Sequence, residues 1–191
     1  MAEPEKKAPT PGGAALWYAA RGCPVFPVEA GQKAPPLTRH GLHDATTEAG
    51  QIREWWKRWP AANVAIATGH VFDAYDIDGP EGQASRLTHW CYDEACREAG
   101  SQVPHPPEGW VPDCEHEGIF NRVERDALAK VYTPRPQGMH IWVPPGHGSD
   151  GNHAGFLPGI DYRGRGGYVI APPSTREGSS AGYRFLVPPT I

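Results

Sequence analysis

Hydrophobic residues fall in short runs along the chain, and turn residues such as Gly, Pro and Asp separate those runs. Runs with a period of about 3.6 residues predict helices, and short apolar runs bounded by turns predict strands. Helices are predicted at residues 14–21, 47–59, 81–99 and 121–129. Strands are predicted at residues 25–28, 63–69, 71–78, 130–134, 139–143 and 183–187, with two more inside 159–174. The pairs 63–69 with 71–78 and 130–134 with 139–143 are each predicted to form a hairpin.

The predicted helix at 47–59 carries most of its large apolar residues on one side. Ile52, Trp55, Trp56 and Trp59 are spaced at i, i+3, i+4 and i+7, which is one helical face. Pro60 follows and ends the helix. This face is predicted to pack into a core.

Composition indicates a folded domain rather than a disordered chain. The 191 residues include 22 Pro and 23 Gly, a total of 45 that lies just under the share typical of disordered chains. Seven Trp and seven Tyr argue for an ordered core, since disordered chains are poor in aromatic residues. The sequence therefore predicts one domain over residues 14–191, preceded by a solvated tail at residues 1–13.

Charge and targeting signals narrow the function classes. The net charge of −4 gives no support for nucleic-acid binding, so an anionic ligand would need a local basic cluster. No apolar run is long enough to span a membrane, and the N-terminal residues lack the apolar segment of a secretory signal. With no such signal, the four Cys are expected to be reduced thiols in a cytoplasmic protein.

The most informative stretch is the end of the predicted strand 71–78, where Asp76 and Asp78 alternate with Tyr75 and Ile77. Because side chains two apart on a strand share a face, the two carboxylates project together while Tyr75 and Ile77 point into a core. Two carboxylates so close need a shared proton or a cation between them, and magnesium favours such oxygen ligands. A turn-capping acid pair before Gly79 explains the pattern equally well.

Three other features suit the same chemistry. On an extended backbone Asp161 shares a face with Arg163, which fits a metal–phosphate site or an ordinary surface ion pair. His140 lies on a predicted strand, where a histidine is more often structural than functional. The run RGRGG at 163–167 offers guanidinium and backbone N–H groups to phosphate oxygens, although such a run is also common in plain loops.

Together these features resemble a known family. The motifs are ALWYAARGCPVFPV, GQKAPP with HGLHDATT, IREWWKRWPAANVAIATG, YDIDGPEG, TPRPQGMHIW and GIDYRGRGGYVIAPPS, in that order from residue 14 to residue 183. The chain resembles the bifunctional DNA primase/polymerase (Prim-Pol) domain of the archaeo-eukaryotic primase superfamily, which occurs on plasmids, phages and integrative elements. The resemblance implies an α+β fold in which an N-terminal α/β subdomain and a C-terminal RRM-like sheet meet at a catalytic cleft.

The resemblance also assigns roles to residues. Asp76 and Asp78 match the metal-binding acid pair, Asp161 matches a further metal ligand, and Gly138 and His140 match the motif whose histidine contacts nucleotide phosphates. The Gly-rich bend that follows, also expected at the nucleotide, holds Arg163, Arg165, Gly166 and Gly167. The family usually has two glycines where this chain has Gln137-Gly138. In the cleft, Asp76 and Asp78 are expected on one side, and His140 and Asp161 on the other.

The implied function is a metal-dependent, template-directed nucleotidyltransferase, a DNA primase, a DNA polymerase or both, that replicates a mobile element, plasmid or phage. Its expected cofactors are two Mg²⁺ or Mn²⁺ ions, which clamp the attacking and leaving oxygens. Its expected partners are single-stranded DNA template, primer, dNTP or NTP, and a helicase supplied by another chain, with no membrane. The alternatives are a metal-dependent phosphodiesterase or nuclease using the same acids, and a catalytically idle nucleotide- or DNA-binding module.

An insert at about residues 88–120 makes the chain longer than the family norm. It contains Cys91, Cys96 and Cys114, with His105 and His116 nearby. Four such ligands are enough for a structural Zn²⁺ site. Because residues five apart do not share a helical face and the spacing fits no standard finger, free half-buried thiols are the favoured interpretation and zinc the alternative.

Overall fold

The computed structural model describes residues 9–89 and 118–191. The chain divides into two compact units, one formed by Met1–Ala67 with Tyr168–Arg184 and the other by Thr68–Gly167 with Phe185–Ile191. The chain therefore crosses from one unit to the other more than once. The Cys/His insert falls almost wholly outside the described residues, and with it the question of a zinc site.

The described elements are short helices and strands. The helices are α1 Pro11–Ala19, α2 Ala49–Arg58, α3 Gly79–Thr88 and α4 Ile119–Arg125, with a 3₁₀ turn at Gly41–Asp44. The strands are β1 Val25–Val28, β2 Asn63–Ala67, β3 Asp73–Ile77, β4 Ala129–Tyr132, β5 Met139–Val143, β6 His153–Leu157, β7 Ile160–Arg163, β8 Tyr168–Ala171 and β9 Arg184–Val187. The expected α+β class is confirmed, and both sheets are built from antiparallel pairs.

The first unit contains a three-stranded sheet in the order β1-β2-β8, against which α1 and α2 pack. On α2, Ile52 and Trp56 are buried, and the Trp56 indole N–H donates to the Ala62 carbonyl at 3.1 Å. Trp55 and Trp59 are only half-buried. The predicted apolar face is therefore confirmed along its centre, and its flank stays in contact with solvent.

The second unit contains a six-stranded sheet in the order β6-β7-β3-β5-β4-β9. One face of this sheet forms a core in which Tyr75 and Ile77 of β3 pack with Phe120 and Val123 of α4. The prediction that Tyr75 and Ile77 point into a core is confirmed. Because β3 lies between β5 and β7, its other face is the centre of the sheet's second surface.

The predicted hairpin of 63–69 with 71–78 is wrong. Strand β2 pairs with β1 and β8, whereas β3 pairs with β5 and β7. Each strand has its hydrogen-bonding edges filled by partners distant in sequence, so the short link between them joins two sheets. The hairpin of β4 with β5 is confirmed.

Other predicted boundaries also change. Helix α3 spans Gly79–Thr88, and the His89 N–H donates to the Ser85 carbonyl at 3.0 Å. The rest of the predicted helix, residues 90–99, lies outside the described residues. The two strands predicted inside 159–174 are present as β7 and β8, but they lie in different sheets. Strand β6 was not predicted, because its largely exposed residues lack an apolar alternation. Among the described residues, no helix is both long and apolar enough to cross a lipid bilayer.

Candidate active site

The register of β3 places three of the predicted site residues in one row. Asp76 is the Cα partner of His140 on β5 and of Asp161 on β7. Directly opposed residues on neighbouring strands, about 4.7–4.9 Å apart, project from the same face of a sheet. The expectation that His140 and Asp161 face Asp76 across a cleft is therefore wrong, since adjacent strands of a single sheet carry all three.

Asp76 and His140 are the buried members of this row, with exposed fractions of 5% and 2%. The His140 Nε2 is 3.3 Å from Asp76 Oδ1, and the Arg163 Nη2 is 3.7 Å from Asp76 Oδ2. A buried carboxylate is costly without such partners. Asp76 thus sits where basic groups from both neighbouring strands reach it.

Asp78 follows β3 and occupies the position before the first turn of α3. Its side chain makes no capping hydrogen bond to that helix. Instead its Oδ1 accepts from the Arg135 Nη1 at 2.8 Å. The hydrogen bond and charge of Asp78 raise the pKa of Arg135, so this guanidinium stays protonated. The alternative in which the Asp78 side chain caps the turn is therefore wrong.

Asp161 is held from two sides. Its Oδ1 accepts from the Gly155 N–H at 2.7 Å, and its Oδ2 accepts from the Arg163 Nη2 at 2.5 Å. The same guanidinium reaches both Asp161 and Asp76, so Arg163 bridges the two acids. The predicted neighbouring pair of Asp161 and Arg163 is thus part of the row rather than an isolated surface pair.

Gly138 closes the turn between β4 and β5. Its N–H donates to the Arg135 carbonyl at 2.9 Å, and a Cβ placed on it would clash with the Thr133 Oγ1 and lie 3.0 Å from the Arg135 Cβ. The preceding Gln137 has a φ of 59°. A side chain at position 138 would therefore disturb the turn that carries Arg135, which gives this glycine a local structural role.

Sequence reasoning missed Arg135. The available signal was its position as the basic residue of a predicted hairpin turn, directly before the strand that carries His140. Only the folded turn brings its guanidinium back to Asp78.

The Gly-rich bend after β7 is tied down by its backbone. The Thr68 N–H donates to the Gly167 carbonyl at 3.0 Å, and the Asn152 N–H donates to the Arg165 carbonyl at 3.1 Å. Gly166 has a φ of +85°, which favours glycine. Arg165 is exposed, and within the part of the chain that the structure describes no ion pair joins it to the acids. Of the two arginines in this run, only Arg163 meets them.

A buried polar network lies behind the row, on the core side of the same strands. Asp73 Oδ2 accepts from the Tyr162 hydroxyl and from the Gly146 N–H, each at 2.6 Å. Tyr75 Oη lies 3.2 Å from His147 Nδ1. Burial and the bond to Asp73 raise the pKa of Tyr162 to about 12, and burial lowers the pKa of His147. These bonds join β3 and β7 to the loop after β5, next to the positions of Asp76 and Asp161.

The donor chemistry of the row fits a divalent cation, although the side chains are not gathered around one point. Across residues 9–89 and 118–191, no group of three or more His, Cys, Asp or Glu is arranged to hold a metal ion. Three carboxylates at the end of one sheet face are nevertheless the oxygen ligands that Mg²⁺ and Mn²⁺ prefer. Each of them is turned toward a guanidinium.

Cys23 is the one free cysteine among the described residues, and it is buried in the first unit. Burial raises the pKa of its thiol to about 11. It is therefore protonated at neutral pH and suited to packing rather than to ligand chemistry.

Acids next to a histidine and arginines on one sheet face are typical of enzymes that use a metal ion to act on phosphate groups. Residues 15–191 match the model of the family described as bifunctional DNA primase/polymerase, N-terminal, and the chain belongs to this family. The family resemblance inferred from the motifs is thereby confirmed. No curated protein matches the chain. Membership indicates primase/polymerase-type nucleotidyltransferase chemistry on DNA and nucleotides, in a family whose enzymes generally depend on a metal.

Proposed function

We propose that this chain is a metal-dependent, template-directed nucleotidyltransferase that extends DNA primers and starts new strands on single-stranded templates of a plasmid, phage or other mobile element. The observation that carries the proposal is the row of Asp161, Asp76 and His140 on adjacent strands, with Asp78 at the end of β3. Family membership supports the reaction class. The row supplies side chains of the kind that this reaction needs.

Asp76, Asp78 and Asp161 would hold the Mg²⁺ or Mn²⁺ ions of this enzyme. Bound there, a divalent ion supplies charge neutralisation at the transferring phosphoryl group and lowers the pKa of the attacking 3′-hydroxyl. The fit is supported by the shared face of the row and by the short reach of one Arg163 guanidinium to both Asp76 and Asp161. The register of β3 and β7 keeps these two acids together.

His140 and the arginines would bind the triphosphate of the incoming nucleotide. His140 is fixed in the middle of the sheet and faces the site, so its Nε2 is held at a set position beside Asp76. Arg163 and Arg165 offer guanidinium forks, which match phosphate oxygens in pairs. Gly166 and Gly167 let the backbone of the bend come close to such a ligand, and Gly138 shapes the opposite turn.

The charge balance of the site favours a nucleotidyltransferase over a hydrolytic use of the same acids. A phosphodiesterase needs acids to activate water, but it has no need of several guanidiniums reserved for a triphosphate. A catalytically idle binding module has no need of three acids on one face. Both readings remain distinct outcomes of the test below.

The test is an assay with a labelled primer on a single-stranded template, with Mg²⁺ or Mn²⁺ and dNTPs or NTPs. The proposal predicts stepwise primer extension and, without primer, labelled products that begin on the template. Primer shortening would point to a nuclease, and an unchanged primer in every condition would point to an idle module. Either result would overturn the proposal. Adding a separate replicative helicase on duplex templates then tests whether the unwinding activity comes from another chain.

A further inference from the structure

The acids that the proposed function assigns to cations are all paired with arginines of the chain itself. Arg135 Nη1 is 2.8 Å from Asp78 Oδ1, and Arg163 Nη2 is 2.5 Å from Asp161 Oδ2 and 3.7 Å from Asp76 Oδ2. These two guanidiniums thus stand in for the positive charge that a metal ion would bring. A cation cannot bind the carboxylates in a compact cluster while both arginines hold them.

We propose that Arg135 and Arg163 couple cation binding to triphosphate binding by exchanging partners. This inference rests on the proposed function, and it describes how the cation and the triphosphate come to bind at the same site. A guanidinium fork suits a carboxylate and a phosphate equally in shape and charge. When a nucleoside triphosphate arrives, Arg135 leaves Asp78 and Arg163 leaves Asp161 for phosphate oxygens. The released carboxylates then become available to the divalent cation.

Arg135 is built to make this exchange. Its side chain is 50% exposed, and it sits in a turn rather than on a strand. The turn rests on the start of α3 through the pair with Asp78 and through one bond from the Gln83 side-chain N–H to the Gln137 carbonyl at 3.0 Å. Both of these contacts are polar and reach solvent, so the Arg135 side chain leaves Asp78 at little cost in free energy.

Arg163 exchanges partners in a different way. Its backbone is fixed within β7, opposite Ala74 of β3, so only its side chain is able to swing. Its side chain is 26% exposed, which leaves it a route to a ligand above the sheet face. Arg135 therefore reaches the triphosphate with an exposed side chain on a turn, whereas Arg163 reaches it with a side chain on a fixed strand.

Coupling follows from charge. With the arginines in place the cation competes against two guanidiniums, so Mn²⁺ alone binds weakly. With a triphosphate present the guanidiniums are drawn away, so Mn²⁺ binds more tightly, and by linkage Mn²⁺ strengthens nucleotide binding by the same factor. Removing Arg135 should therefore raise the affinity for Mn²⁺ alone and reduce the gain that nucleotide gives.

The experiment measures free Mn²⁺ by electron paramagnetic resonance, with and without a non-hydrolysable α,β-imido dNTP. The proteins are the wild type, Arg135→Gln and a control, Arg125→Gln. Arg125 lies at the end of α4, the helix that packs on the core face of the sheet, so its variant loses the same charge away from the row. Circular dichroism and thermal unfolding establish that each variant is folded.

The expected result for Arg135→Gln is Mn²⁺ binding about two- to fivefold tighter without nucleotide, the range for removing one exposed competing ion pair. Its gain in Mn²⁺ affinity on adding nucleotide should shrink by a similar factor, while Arg125→Gln matches the wild type. Arg135→Lys, which keeps the charge, should fall between wild type and Arg135→Gln.

Unchanged Mn²⁺ affinity in Arg135→Gln, or an undiminished gain on adding nucleotide, would overturn the exchange. Primer extension by the same wild-type preparation separates this outcome from failure of the proposed function. Extension together with unchanged Mn²⁺ affinity defeats the exchange alone. The expected Mn²⁺ shifts without any extension defeat the polymerase function alone.

Discussion

Asp76 and Asp161 are direct cross-strand partners on β3 and β7. Two carboxylates opposed in this way repel each other and destabilise a strand pair unless a positive group lies between them. Arg163 supplies that group through contacts with both. The β3–β7 pair at the centre of the site therefore brings two negative charges together, and the Arg163 side chain compensates them.

Replacing Arg163 should therefore destabilise this strand pair. We expect Arg163→Gln to lower the free energy of unfolding in metal-free buffer by about 1–2 kcal/mol, between the values of exposed and buried ion pairs. Added Mn²⁺ should raise the melting temperature of this variant more than that of the wild type, since a cation then replaces the lost positive charge. Thermal unfolding with and without Mn²⁺ measures both effects. Equal Mn²⁺ responses in the two proteins would contradict this account of Arg163.

A second ion cluster supports the site from the core side of the sheet. Glu124 of α4 pairs with Arg86 of α3 and with Lys130 of β4, and its side chain is 8% exposed. Removing one member of a buried ion cluster leaves the remaining charges poorly compensated. We expect Glu124→Gln to destabilise the protein by about 3–5 kcal/mol in urea unfolding.

Arg125→Gln is the matched control for that variant. Arg125 lies next to Glu124 on α4, but its side chain is 55% exposed and pairs with Asp126 at the surface. Its unfolding free energy should stay within about 0.5 kcal/mol of the wild type. If Glu124→Gln proves as mild as this control, the cluster does not stabilise the unit.

His147 should make stability depend on pH. Burial and the nearby Arg122 lower the pKa of His147, and Asp126 acts in the opposite direction. The Tyr75 Oη lies 3.2 Å from the His147 Nδ1. The native state therefore binds a proton less readily than the unfolded chain, in which the pKa is close to the ordinary value of 6.5. The contribution of His147 to the free energy of unfolding is complete above pH 6.5. It is lost as the pH falls through 6.5 toward the lower pKa of the native state.

Urea unfolding of the wild type and His147→Gln between about pH 7.5 and pH 5.5 measures this effect. The wild type should lose more stability over that interval than the variant, because only the wild type carries the imidazole that must charge. Parallel losses in the two proteins would remove His147 from the explanation.

Local patterns in the sequence predicted the parts of the fold that depend on neighbouring residues. The two-residue alternation around Asp76 correctly oriented Tyr75 and Ile77, and turn residues between two apolar runs correctly predicted the β4–β5 hairpin. Partner choice between distant strands was not accessible in this way. The runs at β2 and β3 look like a hairpin in sequence, but each pairs with strands far along the chain.

The same distinction between local sequence patterns and contacts of distant residues applies to the candidate site. Asp76, Asp78, Asp161 and His140 stand out by residue type and motif, yet their arrangement in one row depends on β3 lying between β5 and β7. Arg135 has no motif of its own, and its role appears only when the turn folds back onto Asp78. Strand order and turn geometry, which depend on contacts across the whole unit, supplied what residue patterns lacked.

If the acids of this row carry a nucleotide-transfer reaction, Asp78→Ala should abolish primer extension while leaving the fold intact. Asp78 is partly exposed and caps no helix, so the variant should fold like the wild type by circular dichroism and thermal unfolding. We expect primer extension by the wild type and none above background by folded Asp78→Ala. Extension by Asp78→Ala at the wild-type rate would show that Asp78 is not part of the catalytic site.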